Sequence, residues 1–322
     1  MKIVIDARMI HHGGIGTYIR GLLPHFTDCG HEVIPLFPEQ FKTPIYSASE
    51  QIQFLQKIPR CDLFWSPHFN IPFLPVKAKR RAVTIHDLFH LDHLEQFSPV
   101  KKLYAKLALR KATLKSDLII TVSEFSKMRL LHYFPVAEAK IHVIHSGCDH
   151  LSSLDSEPVE ELPSSFFLLV GNGKPHKNLQ AVLKAMEHFP EMQLVITGKK
   201  EKHPRVHSVG RVSDGKLKWL YVHAQALIFP SLYEGWGLPP LEAMSLGCPV
   251  IASSAASIPE ACGRAPLYFD PSSAQELCVA IEKLSSVREE CVQKGYQRAG
   301  ELTWEEAAKK HLQLFSTVAT LP

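Results

Sequence analysis

The chain has no pair of cysteines spaced C-x-x-C; its seven, at positions 29, 61, 148, 248, 262, 278 and 291, are scattered and odd in number. That argues against a disulfide framework and for a reducing compartment. No apolar run approaches the ~18 residues of a membrane span. The opening Lys2-Ile3-Val4-Ile5-Asp6 lacks the charged start, long apolar stretch and cleavage signal of an export peptide. The expected location is therefore cytoplasmic, or peripheral at the inner face of the membrane. Internal repeats and low-complexity tracts are also absent. With 21% charged and 45% hydrophobic residues, the composition excludes disorder and suits about two domains across 322 residues.

Charge is unevenly placed. Residues 1–150 hold 19 Lys/Arg against 13 Asp/Glu, and residues 151–322 hold 17 against 19, so the first half carries the basic surface. Much of it lies in Lys77, Lys79, Arg80 and Arg81 and in Lys101, Lys102, Lys106, Arg110, Lys111 and Lys115. Ser98-Pro99 reads as a helix cap and first position, after which Val100, Leu103, Tyr104, Leu107 and Leu114 follow helical spacing. The segment is thus an amphipathic basic helix. Its basic side is read either as the solvated face of a packed helix or as a contact with anionic lipid or a lipid-linked acceptor. Without interleaved aromatics it does not suit nucleic acid.

Short apolar runs at residues 3–7, 82–85, 118–122 and 141–144 have the character of buried parallel strands, with helical segments between most of them. A polar, proline-bearing stretch follows residue 150, and a second series of runs occupies residues 166–170, 193–197, 226–229 and 250–252. The fold class expected is α/β, with two Rossmann-like doubly wound parallel-sheet domains facing each other across a cleft. Their bounds are residues 1–150, a linker at 151–163, a second domain at 164–303, and a helical tail at 304–322.

Candidate chemistry concentrates in Pro230-Ser-Leu-Tyr-Glu-Gly-Trp-Gly-Leu-Pro-Pro-Leu-Glu-Ala-Met244. Glu234 lies in a glycine-flanked loop and Glu242 in the first turn of a helix that Pro239 and Pro240 help to start. Gly235, Trp236, Gly237 and Leu238 then offer backbone N–H groups beside a positive helix terminus. An anion site bracketed by two hydroxyl acceptors suits a ligand with both a diphosphate and vicinal diols, and a nucleotide sugar is such a ligand. Each half also opens with a glycine turn after its first strand. These are His11-His12-Gly13-Gly14-Ile15-Gly16-Thr17 and Gly171-Asn172-Gly173-Lys174-Pro175-His176-Lys177-Asn178; in the second, Lys177 could neutralise a diphosphate.

Together with Val209-Gly210-Arg211-Val212, Pro249-Val250-Ile251-Ala252-Ser253 and Pro259-Glu260, the 229–238 run resembles the donor domain of retaining GT-B glycosyltransferases of family 4, mannosyltransferase-like members included. The likeness extends more thinly over almost the whole chain. It implies that Glu234 contacts the donor sugar and Glu242 the ribose diol, with the intervening N–H groups near the diphosphate. It implies that Gly14 and Gly16 close on the donor phosphates, that Gly210, Arg211 and Val212 line the base, and that His86 lies at the reacting sugar. Asp87, Ser123 and His145 are assigned to the acceptor side. Where the family commonly carries an arginine after the glycine at 171, this chain has Asn172. Lys177 is left as the cation that matches, with Lys174 a candidate substitute. The resemblance also returns the 304–322 helix to the first domain.

The activity implied is transfer of a hexose, mannose slightly favoured, from a nucleoside-diphosphate sugar such as GDP-mannose to a glycan or lipid-linked acceptor in surface polysaccharide or glycolipid synthesis. The anomeric configuration would be retained. No cofactor is expected beyond that co-substrate. No metal is expected either, since the chain contains no Asp-x-Asp, the metal-chelating element of the other large transferase fold. A retaining glycosidase needs carboxylates about 5–5.5 Å apart across the scissile bond, which a loop-plus-helix pair does not ask for. A non-catalytic nucleotide-sugar binder on the same fold, or a UDP-hexose-dependent transferase, are the alternatives.

Overall fold

Strands of three to eight residues, most of them built on short apolar runs and flanked by helical segments, pair among the described residues of the computed structural model as two six-stranded sheets, parallel at every pairing. Residues 1–320 are described apart from 28–29, 48, 94–96, 172 and 199. Two units result: Met1–Gly147 with Trp304–Pro322, and Cys148–Thr303.

Unit 1 contains β1 (Lys2–Asp6), β2 (Glu32–Leu36), β3 (Cys61–Ser66), β4 (Ala78–Ile85), β5 (Leu118–Thr121) and β6 (Ile141–Val143), in the order β2-β1-β3-β4-β5-β6. Between them run α1 (Gly13–Leu22), α2 (Glu50–Lys57), the short α3 (Phe89–Asp92), α4 (Pro99–Lys115) and α5 (Glu124–Tyr133). Val83, Ile85, Leu109, Ala112, Ile119, Leu130 and Ile141 form one core cluster on this sheet, and Val4, Leu36, Phe54 and Phe64 another.

Unit 2 contains β7 (Phe167–Leu169), β8 (Leu194–Thr197), β9 (Val206–Gly210), β10 (Leu227–Phe229), β11 (Val250–Ser253) and β12 (Leu267–Phe269), ordered β12-β11-β10-β7-β8-β9. Its helices are α6 (Leu179–Met186), α7 (Asp214–His223), α8 (Leu238–Ser245), α9 (Ile258–Cys262) and α10 (Ala274–Gly300). Residues 151–163 lie within this unit; Glu157 Oε2 accepts a bond from the hydroxyl of Ser213, the residue that caps α7.

The last helix, α11 (Trp304–Ala319), belongs to unit 1. Its buried residues Trp304, Ala307, Ala308, His311, Phe315 and Val318 recur at helical spacing, forming one apolar stripe against α1, β3 and β4. Gly21 of α1 makes this packing possible, since a Cβ there would stand 2.2 Å from the Trp304 ring. A buried polar relay completes the contact. Trp65 Nε1–H donates to Thr84 Oγ1 (3.1 Å), Thr84 lies 3.3 Å from the Tyr18 hydroxyl, and that hydroxyl lies 2.6 Å from His311 Nε2. His311 Nδ1 is 2.6 Å from the Ala307 carbonyl, so a neutral ring with its proton on Nδ1 leaves Nε2 to accept from Tyr18.

One expectation is reversed on α4. The helix forms and Pro99 opens it, but Val100, Leu103, Leu107 and Leu114 face outward. The buried stripe is Ala105, Ala108, Leu109, Ala112 and Thr113. Small side chains let the helix lie close on the core, and their weak hydrophobic signal is masked in the sequence by the leucines.

Burial pushes the His311 pKa down from the ordinary histidine value of 6.5 to about 4. Because the unfolded chain then binds the extra proton, this residue's contribution is fully present above pH 6.5 and is lost as pH falls from there towards 4, about 3 kcal/mol in all. Thermal unfolding across that window should show the loss in the wild type and a smaller one in His311→Gln. An equal acid loss in both proteins would contradict the assignment.

Candidate functional site

In an open parallel sheet, ligands gather beyond the carboxyl ends of the strands where the strand order reverses. In unit 2 that place lies between β7 and β10. Lys177 follows β7, Glu234 follows β10, and Lys177 Nζ lies 2.6 Å from Glu234 Oε1. At 15% exposure each, both side chains are shielded enough to interact strongly and open enough to meet a ligand. The two loops are laced together beneath them. Leu232 N–H donates to the His176 carbonyl (2.8 Å), and Asn178 Nδ2 donates to the carbonyls of Pro230 (3.2 Å) and Pro271 (2.8 Å). Gly171, whose N–H donates to Thr197 Oγ1 (3.1 Å), leaves room for the lysine stem: a Cβ would sit 3.4 Å from Lys177 Cγ.

The 230–237 loop is pinned by two serines, one ending β11 and one beyond it. Ser253 Oγ donates to the Ser231 carbonyl (2.5 Å), and Ser257 Oγ lies 2.9 and 3.0 Å from the carbonyls of Glu234 and Trp236. Tyr233 and Trp236 are buried. Gly237, at φ +115°, caps α8 from a conformation that a side chain would strain. Leu238 opens the helix, and because Pro239 and Pro240 have no N–H, the donors at this end belong to Leu238 and the loop before it.

Glu242 is the fifth residue of α8, so it opens the second turn rather than lying in the first. It is 6% exposed and its carboxylate is held at both oxygens. The Tyr221 hydroxyl donates to Oε2 (2.8 Å), and His150 Nε2 is 3.3 Å from Oε1. Burial, and then the carboxylate itself, push the Tyr221 pKa well up, which keeps that hydroxyl a donor. Tyr221 and His150 stand 21 and 92 positions from Glu242, beyond the reach of any local pattern; Ser253 and Ser257 are likewise legible only in the structure. Among the remaining donor-side positions, Asn172 lies outside the described residues. Lys174 is exposed beside a hollow lined by Leu169, Lys177, Ile196 and Thr197. Gly210, at φ +68°, ends β9, and Arg211 and Val212 lead from it towards α7.

In unit 1 the expected glycine turn is the first turn of α1 itself. A Cβ on Gly16 would lie 2.5 Å from the Ile10 carbonyl oxygen, whereas one on Gly14 would meet nothing within 4 Å. His86 follows β4. Its Nε2 lies 2.8 Å from the Pro67 carbonyl, its ring meets Tyr18 edge-on with centroids 4.8 Å apart, and burial holds its pKa below the ordinary histidine value. With the proton on Nε2, Nδ1 is an acceptor. Asp87 Oδ1 accepts from the N–H of Phe89, and Ser123 is wholly buried as the cap of α5, accepting from Ser126 N–H. Those two side chains hold local backbone. His145 lies half-buried just past β6.

Residues 155–298 match the model of glycosyl transferases group 1, and residues 35–150 match that of glycosyltransferase family 4, with four residues between the two matches. The chain belongs to the family 4 glycosyltransferases. This transferase is 27% identical over 284 residues to O-antigen chain mannosyltransferase B of Escherichia coli, covering 79% of the chain and 74% of that protein. It is 26% identical over 258 residues to the O-antigen chain mannosyltransferase RfbU of Salmonella typhimurium, covering 76% and 70%. Its fold is shared with sucrose-phosphate synthase from Thermosynechococcus elongatus (TM-score 0.76, 19% identity, 98% of both chains) and with Anabaena HepE, solved with UDP and glucose (0.72, 15%, 98% and 99%). The two sheets of the transferase are those of the GT-B fold.

The glycines of α1 separate two demands. Gly16→Ala forces a methyl onto a backbone carbonyl and should cost about 1–3 kcal/mol. Gly14→Ala, in open space, should leave stability unchanged or raise it by up to about 1 kcal/mol. Chemical denaturation of both variants checks this, and equal effects would contradict the packing described.

Proposed function

We propose that this transferase moves a hexose, with mannose favoured, from a nucleoside-diphosphate sugar to a glycan or lipid-linked acceptor in the synthesis of a surface polysaccharide, with retention at the anomeric carbon and no resident metal. The Lys177–Glu234 pair at the unit 2 switch point carries this reading. It sets a cation suited to a diphosphate beside a carboxylate suited to sugar hydroxyls. In this reading Glu242, oriented by Tyr221 and His150, accepts from the ribose diol. The N–H groups before α8 and the Lys177 ammonium meet the departing diphosphate, where fixed donors aimed at developing charge are most effective. The bond from the anomeric carbon to the phosphate oxygen breaks with its electron pair going to the diphosphate. The acceptor oxygen bonds to the same face, and its proton passes to the leaving oxygen. Neutral His86 accepts from a sugar hydroxyl through Nδ1.

Mannose is supported by relatives named as mannosyltransferases in O-antigen chains. A UDP-hexose is the second reading, supported by the UDP-glucose complex of the structural neighbour HepE. Assays with GDP-mannose, UDP-glucose and ADP-glucose should give transfer and equimolar release of nucleoside diphosphate best with GDP-mannose, at a rate unchanged by EDTA. Glu242→Ala should weaken free GDP binding by at least about tenfold, one charge-assisted hydrogen bond being worth about 1.5–3 kcal/mol. Donor binding without acceptor-dependent release of diphosphate would instead identify a binder.

The depressed pKa of His86 sets a separate expectation: an acid limb of kcat/KM due to its protonation is centred below pH 6.5 and disappears in His86→Asn. A limb centred at or above pH 6.5, or one retained in the variant, would remove His86 from this role.

A further inference from the structure

The outward face of α4 combines features that nothing else in unit 1 explains. Val100, Leu103, Leu107 and Leu114 are 78%, 60%, 46% and 63% exposed. At about 100° per residue they fall within a stripe about 60° wide. Cations border it on both sides, Lys106 and Arg110 along one edge and Lys111 and Lys115 along the other, and the 17-residue helix has no Asp or Glu. The opposite face, with Ala105, Ala108, Leu109 and Ala112, is already spent on the unit's own core. Scattered exposed leucines are ordinary; four in line between two rows of cations are not.

We propose that this face seats the protein on an anionic lipid bilayer. The aliphatic stripe enters the boundary between headgroups and acyl chains, and the lysine and arginine stems extend along it so that their charges reach lipid phosphates. The complementary surface must be apolar at its centre and negative at its margins, which is the make-up of such a bilayer. A second copy of the same face would set four cations against four in an isologous contact. A nucleic acid would want aromatic stacking platforms, and the stripe has none.

The helix is firmly mounted for this purpose. The Tyr104 hydroxyl donates to Asn70 Oδ1 (2.7 Å), and Asn70 Nδ2 donates to the buried Glu50 (2.9 Å). Glu50 in turn pairs with Arg8, which is bonded twice to Asp6 at the end of β1 (2.7 and 2.8 Å). On its edge, Lys115 Nζ donates to the Phe73 carbonyl (2.7 Å) and Lys111 lies over the Phe73 ring. Docking through α4 would therefore hold the carboxyl ends of the unit 1 strands at a set height above the lipid, whichever sugar is transferred.

Co-sedimentation of the full chain with phosphatidylcholine vesicles, and with vesicles carrying about a third phosphatidylglycerol, tests this directly. Binding should require the anionic lipid and weaken as salt is raised. Leu103→Ser/Leu107→Ser and Lys106→Gln/Arg110→Gln should each lower partitioning by at least about tenfold while melting like the wild type, since all four side chains are exposed. No binding to anionic vesicles, or a leucine variant that binds like the wild type, would overturn the proposal. So would lipid-free self-association abolished by the leucine changes, which would give the face to a second copy.

Discussion

A parallel strand cannot turn back on its neighbour; the chain must leave the sheet at the strand's carboxyl end and return through a crossover. Every loop that follows a strand therefore opens on the same edge of its sheet, and strands distant in sequence become neighbours there. In unit 2 this brings the loop after β7 beside the loop after β10, and Lys177 meets Glu234 although 57 residues separate them. Unit 1 repeats the pattern between β1 and β3. There Asp6 and Arg8 leave one strand and His68 and Asn70 the other, with His68 Nε2 3.2 Å from Asp6 Oδ2. His86 leaves the next strand, β4, and bonds the carbonyl of Pro67.

Buried charge is what makes these edges rigid. Asp6, Arg8, Glu50, His68 and Asn70 are each at most 1% exposed, and such groups are tolerated only when their bonds are nearly complete. Although burial alone would raise it, Arg8 and His68 hold the Asp6 pKa well below the usual carboxylate range. The Glu242 carboxylate is likewise fixed in position, by the Tyr221 hydroxyl and His150. A carboxylate oriented before its ligand arrives loses little freedom on binding, which is the advantage of preorganisation. The serines beneath the 230–237 loop do the same for backbone donors.

How much of this was legible in the sequence follows from what each signal depends on. The apolar runs that became β1, β4, β5, β7, β8, β10 and β11 stood out because both faces of a strand inside a doubly wound sheet are covered; β6, at an edge, was legible from the short apolar run at 141–144. Three of the strands not foreseen, β2, β9 and β12, are edge strands with partly exposed residues, and Pro35 within β2 is tolerated only there. The fourth, β3, is central, but Asp62 interrupts its apolar run; that carboxylate accepts from the Lys2 N–H and from Lys79. On α4 the helix was legible and its buried face was not, because alanine packs well yet contributes little to a hydrophobic pattern. Glu234, Glu242 and Lys177 could be picked out because local loop-and-helix chemistry selects them. Tyr221, His150 and Ser257 could not, since only tertiary folding brings them there.

The central claim is a division of duties at the unit 2 switch point, with Lys177 serving the diphosphate and Glu234 the transferred sugar. Calorimetric affinities for free nucleoside diphosphate, measured beside transfer rates for Lys177→Met, Glu234→Gln and the double variant, test it most directly. The account predicts that Lys177→Met weakens diphosphate binding by at least about tenfold, one charge-assisted hydrogen bond being worth about 1.5–3 kcal/mol. Glu234→Gln should leave that affinity near wild type and lower transfer about a hundredfold. Equal losses of diphosphate affinity in both single variants, or full transfer activity in Glu234→Gln, would contradict it.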